Sequence, residues 1–502
     1  MFLLTHFKFG FALSLALLVS GVAPGGFLVV SAPAIGQTRS DRQAEADKLL
    51  TRAAWLYSVE LPEASLGLYE QVLQILQELG KADQVAEVLT GIASSFQSNG
   101  YLEQALLYYQ RALTIYQGPM LSPVDRFKQF YSTSQTAHKM GAIYQALGQL
   151  DRAIAVYEQA LVSDRKVTPD SWMEALTLTK LGTVHRQAGR LDQALAAYQQ
   201  AEAIYQKTGG NPYEEPRLLN RLGQLYQAQG QVELATAAYQ RGLAAVKETL
   251  MDADVVDRLL LLENLRDLSQ AQGQTKLTAD YGQQARIILE RAGQTARSES
   301  QQASILEKIG KFYLSDGQLE RAETYYQRAL AVVAKFSNTY TESNLLGSIA
   351  LDYRQLGYLE RTLPYQRRNA EVFQAMNIPE NTATSLRLLG QTYQRLEQFE
   401  SALAAYQKSL ALFQQMQQEY GHNESDIALV LLHQGSVHQA QGRMEQALAL
   451  YQQALALFQE SSSDLGQAQA LQHLASFYAT RGQAEQAKQY SQQAESLLRQ
   501  LP

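Results

Sequence analysis

The 502-residue sequence contains no cysteine. This absence excludes disulfide bonds, zinc sites built from thiolates and a lipid-modified N-terminal cysteine. Basic residues are also few: 43 Lys and Arg stand against 49 Asp and Glu, which gives a formal net charge of −6. Without a basic stripe, nucleic acid is not an expected partner. From Thr38 onward, no apolar run approaches the length that spans a bilayer.

The first 36 residues differ in composition from the rest of the chain. Phe9–Ala23 is a run of small and apolar residues, a Pro-Gly-Gly break follows at 24–26, and an Ala-Pro-Ala sequence stands at 32–34. This pattern predicts a secretory signal peptide over residues 1–36. An uncleaved membrane anchor is the alternative, because Phe9–Val30 is long enough to span a bilayer. Both alternatives place the remaining residues outside the cytoplasmic membrane, either periplasmic or secreted.

One phrase dominates the rest of the chain: Gly-x-x-Tyr-x-x-x-Gly-x-x-[Asp/Glu]-x-Ala-x-x-x-Tyr-x-x-Ala. Ten copies lie between residues 93 and 494, and the second glycine, here named the turn residue, recurs every 40–48 residues. A recurring period of this size indicates a solenoid of repeats rather than several globular domains. The turn residues are Gly100, Gly148, Gly189, Gly230, Gly273, Gly317, Gly357, Glu397, Gly442 and Gly482.

Helix packing explains most of the phrase. The first glycine and the alanines are small where two helices cross closely, and we expect a tyrosine from the neighbouring helix to fill the space beside them. The turn residue supplies the left-handed conformation that ends the first helix. An acid begins the second helix in nine of ten copies, where it complements the positive helix N-terminus. The acids are therefore interpreted as helix-start residues rather than general acids.

These positions resemble the tetratricopeptide repeat, a helix–turn–helix unit. Leu219, Leu222 and Gly223 match the first half of its pattern, and Ala402 and Tyr406 match the second. The longer period is similar to the subclass of about 40–42 residues found in kinesin light chains and many bacterial proteins. The resemblance implies an all-α, right-handed superhelical solenoid of about 10–11 repeats.

The resemblance also divides the chain. A degenerate N-terminal repeat is predicted at 37–80, with Trp55 at the first Tyr position and Ala64 at the first Ala position. The solenoid proper is predicted at 81–502. In its last repeat Ser491 replaces Tyr and the final helix is polar, so this repeat is expected to act as a cap.

A candidate binding surface follows from the family's geometry, in which the first helix of each repeat lines the concave face. Four residues after the first phrase position, six copies carry Gln and two carry Arg, whereas Leu314 and Ala479 are the exceptions. Because Gln both donates and accepts hydrogen bonds, such a row suits the backbone of an extended peptide. The alternative is that Gln merely solvates an exposed helix face. The predicted groove residues are Gln97, Gln145, Arg186, Gln227, Gln270, Arg354, Gln394 and Gln439.

Two copies depart from the phrase, around Gly273 and Gly357. The first has Arg266 and Gly282 at its small and aromatic positions. The second contains a cluster of arginines. The departures are interpreted either as sequence drift in a tolerant scaffold or as a bend together with a basic patch for an acidic partner. These arginines are Arg354, Arg361, Arg367 and Arg368.

No motif for catalysis or cofactor binding is present. The sequence lacks a phosphate-binding glycine loop, a nucleophile elbow and a His-Glu-x-x-His pair. His433 and His473 occupy equivalent repeat positions, but no third metal ligand recurs beside them. The family's Lys/Asn/Arg clamp for a C-terminal carboxylate is not matched, since Asn220, Gln224 and Ala228 stand at corresponding positions.

These observations predict a non-enzymatic scaffold or adaptor without metal or cofactor. Its expected partner is a protein or peptide, met outside the cytoplasmic membrane in an envelope, export or assembly complex. Contact with a membrane is expected only through an uncleaved N-terminal segment. The alternatives are a peptide-sensing receptor and an accessory subunit of an envelope enzyme.

Overall fold

The computed structural model describes residues 38–58, 62–118, 123–247, 252–293, 298–335 and 339–500. The predicted signal peptide, including its Ala-Pro-Ala sequence, lies outside the described residues and stays a prediction. Within the described ranges every regular element is an α-helix. In those ranges no helix is both long enough and apolar enough to cross a membrane.

The described residues form 22 helices, which follow one another as eleven helix–turn–helix units. These are α1 Arg39–Ser58, α2 Pro62–Glu78, α3 Ala82–Ser98, α4 Leu102–Tyr116, α5 Pro123–Ala146, α6 Leu150–Val167, α7 Trp172–Gln187, α8 Leu191–Thr208, α9 Glu214–Ala228, α10 Val232–Ala245, α11 Asp252–Ala271, α12 Thr275–Gly293, α13 Ser298–Ser315, α14 Leu319–Lys335, α15 Thr339–Gln355, α16 Leu359–Ala375, α17 Pro379–Arg395, α18 Phe399–Tyr420, α19 Glu424–Ala440, α20 Met444–Glu460, α21 Asp464–Thr480 and α22 Ala484–Gln500. The prediction of an all-α solenoid of helix–turn–helix repeats is confirmed.

Contacts between Cα atoms divide the chain into two compact units. The middle unit, Ala82–Val372, contains α3 to α15 and most of α16. The outer unit combines Met1–Lys81 with Phe373–Pro502, so α1, α2 and α17 to α22 belong to it.

The turn residues adopt the conformation that the sequence predicts. The nine glycines have φ between +69° and +78°, and Glu397 has φ +57°. A side chain in this region costs about 1 kcal/mol or more, because its Cβ approaches the following carbonyl. Glu397 still closes its helix like the glycines, since its N–H donates to the carbonyl of Gln394 at 3.0 Å.

The first glycine of the phrase is required by a tyrosine of the second helix. A Cβ placed on Gly223 would lie 2.4 Å from a ring carbon of Tyr239, far inside van der Waals contact. In five further units the corresponding distance is 2.4–2.7 Å, and the tyrosines are buried. The predicted exchange of small and large residues is therefore confirmed. The five pairs are Gly141–Tyr157, Gly182–Tyr198, Gly310–Tyr326, Gly390–Tyr406 and Gly435–Tyr451.

The departing unit around Gly273 keeps this packing by reversing it. Arg266 stands in place of the first glycine, and Gly282 stands in place of the tyrosine. A Cβ placed on Gly282 would lie 3.6 Å from Cδ of Arg266, so the arginine stem lies beside the second helix. The guanidinium pairs with Asp267 at 3.0 Å. The large residue now comes from the first helix and the small one from the second.

Candidate partner-binding surface

The predicted groove residues occupy one structural position. Each is the second-last residue of the first helix of its hairpin, in α3, α5, α7, α9, α11, α15, α17 and α19. Six of them lie in the middle unit, and Gln394 and Gln439 lie in the outer unit. Gln270 is exposed, whereas the other seven are half-buried. Their role in binding stays a prediction.

Most of these glutamines are held by the packing tyrosine of the same repeat. In each case the tyrosine hydroxyl, twelve residues later, donates to the glutamine Oε1. The distances are 2.7–3.1 Å. The five pairs are Tyr109–Gln97, Tyr157–Gln145, Tyr239–Gln227, Tyr406–Gln394 and Tyr451–Gln439.

This bond changes what the glutamines offer a partner. Burial raises the pKa of Tyr157 and of Tyr239, so these hydroxyls keep their protons and act as donors. The glutamine oxygen is then engaged as acceptor, while the amide nitrogen keeps its two N–H groups. In Gln145 one of these reaches Oε1 of Gln187 in the next hairpin at 3.0 Å. The row therefore presents mainly donors, not the donors and acceptors expected from sequence.

Three groove residues lack this arrangement. Arg186 donates from Nη2 to the carboxylate of Asp316 at 2.6 Å. Gln270 has no packing tyrosine, because Gly282 stands at that position, and its side chain makes no hydrogen bond within the described residues. Arg354 lies against Gly100, in the turn between α3 and α4. A Cβ placed on Gly100 would be 2.4 Å from the carbonyl oxygen of Arg354.

Sequence comparison assigns the family. Profiles described as tetratricopeptide repeat match residues 45–118, 132–207, 341–415 and 426–500, which is more than half of the chain. The chain belongs to the tetratricopeptide repeat family. Further tetratricopeptide repeat profiles match residues 179–248, 387–462 and 305–338. These matches include the degenerate first hairpin and the departing unit around Gly357.

Solved structures with similar folds are distant. The putative kinesin light chain repeats of Podosopora anserina share 21% identity, cover 42% of this chain and 97% of that chain, and give a TM-score of 0.34. BtubC from P. vanneervenii shares 17% identity over 47% of this chain and 90% of its own, with a TM-score of 0.31. The Rap conjugation gene regulator of plasmid pLS20, in complex with the Phr* peptide, shares 13% identity over 74% and 96%, with a TM-score of 0.31. No curated protein matches the chain.

Tetratricopeptide packing also accounts for two conspicuous histidines. His433 stacks on Tyr406, with ring centroids 5.6 Å apart, and accepts a hydrogen bond from Gln391 at 3.0 Å. His473 stacks on Tyr451 at 5.2 Å. Each imidazole thus covers the packing tyrosine of the preceding repeat. Among the described residues, no group of three or more His, Asp and Glu side chains could hold a metal ion.

A third histidine belongs to a buried polar network between adjacent hairpins. Thr177 Oγ1 donates to Asp164 at 2.6 Å and lies 2.6 Å from Nε2 of His138. Burial, aided by the nearby charge of Lys180, lowers the pKa of His138 to about 3. Thr177 is fully buried, and its hydroxyl faces the carboxylate rather than open space. The network therefore ties two repeats together and offers no accessible nucleophile.

The arginine cluster around Gly357 is partly neutralised by Glu342 of the same repeat and Glu320 of the preceding one. Arg361 donates to Glu320 at 2.8 Å, and Arg368 donates to Glu342 at 3.0 Å. Glu320 is the helix-start acid of the preceding repeat. These pairs weaken the prediction of a free basic patch at this unit.

One surface feature was missed by sequence reasoning. Tyr131, Trp172 and Tyr213 stand at the same repeat position in three consecutive hairpins, each 17 residues before its turn residue. Their exposed fractions are 40%, 51% and 42%. Tyr131 stacks on Phe127 with ring centroids 6.2 Å apart, and Lys247 lies 5.8 Å from the ring of Tyr213. The signal was their 41-residue spacing, which falls outside the tetratricopeptide phrase.

Proposed function

We propose that this tetratricopeptide repeat protein is a non-enzymatic scaffold that binds an extended protein or peptide segment along its first helices. The observation that carries the proposal is the tyrosine–glutamine bond. In the middle unit it fixes the amides of Gln97, Gln145 and Gln227 at equivalent positions, where their N–H groups are donors and one N–H of Gln145 already binds Gln187. The same bond recurs at Gln394 and Gln439 of the outer unit. Extended backbone offers carbonyl oxygens at regular intervals, and these are the acceptors that such donors need.

The tyrosines also lower the cost of binding. A free glutamine side chain loses rotamer entropy of roughly 0.5–1.5 kcal/mol when a partner immobilises it. Here a tyrosine hydroxyl already orders the amide by a hydrogen bond, such as the 2.7 Å bond from Tyr157 to Gln145. Part of the ordering cost is therefore met by the fold itself.

Replacing Gln97, Gln145 and Gln227 together by glutamate should abolish most partner binding without unfolding the protein. Glutamate keeps an oxygen for each tyrosine hydroxyl but removes the N–H donors. The measurement is affinity capture with the tagged chain from an envelope fraction, quantified by mass spectrometry. We expect recovery of the main partner to fall by about tenfold or more, as loss of several hydrogen bonds implies.

The matched control replaces Tyr109, Tyr157 and Tyr239 by phenylalanine. This variant breaks the same three bonds but leaves the amides in place, so it should lose about 1 kcal/mol of stability per site and keep most of the partner. Equal recovery by the glutamate variant and the wild type would overturn the proposal. The captured species also separates the alternatives, because a short peptide indicates a receptor and an enzyme indicates an accessory subunit.

We further propose that the scaffold works outside the cytoplasmic membrane. The support is the apolar run Phe9–Ala23 with the small-x-small sequence at 32–34. Residues 1–60 fused to alkaline phosphatase without its own signal should give active enzyme, because this phosphatase folds only after export. Deleting residues 9–23 is the control and should remove activity. An inactive full fusion would contradict the proposal. If the fusion is active, sedimentation with membranes indicates an anchor, and release from membranes indicates a cleaved signal.

A further inference from the structure

A buried aspartate in the middle unit is held by helices of earlier repeats. Asp316 lies in the turn between α13 and α14, and its carboxylate is 0% exposed. Arg186 of α7 donates from Nη2 to Oδ2 at 2.6 Å, and Arg221 of α9 lies with Nε 3.3 Å from Oδ1. The two arginines belong to the hairpins three and two repeats earlier, and their side chains are 19% and 15% exposed.

The same helices also bind the backbone of this aspartate. Gln187, next to Arg186, donates from Nε2 to the carbonyl oxygen of Asp316 at 3.0 Å. Gly317 permits this approach, because a Cβ at that position would lie 2.6 Å from Nε2 of Gln187. An aspartyl residue is thus recognised through both its carboxylate and its carbonyl. Gln318 of the same turn also donates to Oδ2, at 2.7 Å. The arginine contacts are charge-assisted hydrogen bonds, which are stronger than those between neutral groups.

This contact is unusual for a solenoid. Repeats ordinarily contact only their neighbours, and the stability of the array is a sum of such neighbouring terms. A buried ion pair also adds little stability compared with apolar packing, because both charges lose water. The guanidinium of Arg221 is further enclosed by the ring of Phe312, 5.0 Å away. The carboxylate is therefore held by directed, charged groups, as in a ligand-binding site, and not by apolar packing.

Positive charge remains beyond what Asp316 balances. Lys139, Lys180 and Arg221 stand nine residues before the turn residue in three consecutive repeats. Lys180 is half-buried beside Arg221 and makes no hydrogen bond or ion pair within the described residues. Lys139 donates only to the hydroxyl of Ser94, at 2.9 Å, and faces the ring of Tyr109. Glu214 also acts electrostatically on Lys180, so part of this positive charge is balanced by an acid outside the turn.

We propose that Arg186, Gln187 and Arg221 form a binding site for an acidic residue of a partner peptide, and that Asp316 occupies this site until the partner displaces it. The inference rests on the proposed scaffold function and names the chemistry of its partner. The turn is tethered to the same chain and competes intramolecularly, so a partner that offers a single carboxylate is at a disadvantage. The partner segment must therefore carry a second acid, for which the ammonium of Lys180 is the available cation.

Asp316→Asn tests the site directly, because it removes the competing charge and keeps the shape of the side chain. The probe is a fluorescein-labelled peptide of alternating Asp and Gly, and the control peptide alternates Asn and Gly. By fluorescence anisotropy, Asp316→Asn should bind the acidic probe about tenfold or more tightly than the wild type. Adding Arg221→Gln to that variant should remove the gain. The Asn peptide should bind no variant.

Glu320→Gln is the matched control variant. It makes the same change of charge four residues away, on an exposed side chain that pairs with Arg361 and lies outside the site. It should bind the probe like the wild type. Equal binding by folded Asp316→Asn and by Glu320→Gln would overturn the inference and make Asp316 a structural contact only.

Hydrogen exchange of the wild type gives a second test that needs no variant. Saturating acidic peptide should speed exchange in residues 313–319, because the turn leaves its site, whereas the Asn peptide should not. No change in this segment would also overturn the inference. If the triple glutamate variant loses its partner while these tests fail, only the acidic-residue inference is wrong. If these tests succeed while the triple glutamate variant retains its partner, the proposal that the glutamine amides bind the partner is wrong instead.

Discussion

Gly223→Ala is expected to destabilise the solenoid, whereas Gly91→Ala is expected to stabilise it. Both glycines lie inside first helices, so helix propensity alone favours alanine at both by about 0.5–1 kcal/mol. At Gly223 the new methyl would lie 2.4 Å from the ring of Tyr239, while at Gly91 nothing lies within 4 Å. Overpacking of this kind costs about 1–3 kcal/mol, which exceeds the gain in propensity.

Thermal and urea unfolding, followed by circular dichroism, measure the stability of the two variants against the wild type. Repeat arrays need not unfold in one step, so hydrogen exchange of residues 214–245 should accompany the global curves. The account predicts shifts of opposite sign for the two variants. Shifts of the same sign would show that the tyrosine ring does not exclude a side chain at the first glycine of the phrase. Tyr239→Phe should not rescue Gly223→Ala, because the clashing atoms are ring carbons.

Acidification from about pH 7 to about pH 5 is expected to remove about 2 kcal/mol of stability through His138 alone. Its folded pKa of about 3 lies below the ordinary value, because burial disfavours the imidazolium. Between these two values the unfolded chain binds more protons than the folded chain, so stability falls as the pH falls. Burial lowers the pKa of His433 as well, so its contribution has the same sign.

Some carboxyl groups oppose this effect at lower pH. Burial raises the pKa of Asp164 and of Asp257, so the folded state takes up these protons more readily than the unfolded state. Their contribution grows as the pH falls through their raised pKa values. His138→Gln isolates the histidine, since the amide can still donate to Thr177 but does not titrate.

Urea unfolding at several pH values between about 5 and 7 makes the comparison. Relative to the wild type, His138→Gln should lose about 2 kcal/mol less on going from neutral pH to about pH 5. The same pH dependence in both proteins would contradict the buried, neutral state of His138.

The sequence was sufficient to predict the repeats, the turn residues and the role of the phrase, because each is a local property recurring at fixed spacing. Glu397 took its predicted conformation although it is not glycine. The reversed pair Arg266 and Gly282 is not evident from either position alone, because only the combined volume of the two side chains is kept.

The predicted groove residues share one helix position, but the hydrogen bonds that hold their side chains do not follow from the sequence pattern. The tyrosine–glutamine bond joins two positions twelve residues apart on different helices, whereas the sequence pattern indicates packing for one and binding for the other. Contacts between distant repeats, such as that of Asp316 with Arg186, could not be predicted from the sequence. They depend on how several repeats accumulate curvature, which no local pattern reports.

The central claim is that the phrase holds the solenoid together while the donors at the ends of the first helices bind the partner. Hydrogen exchange of the tagged chain with and without its captured partner tests this most directly. The account predicts slower exchange at the C-terminal ends of first helices, for example residues 142–148 and 224–230, with second helices little changed. Protection confined to the second helices, or none at the first-helix ends, would contradict it.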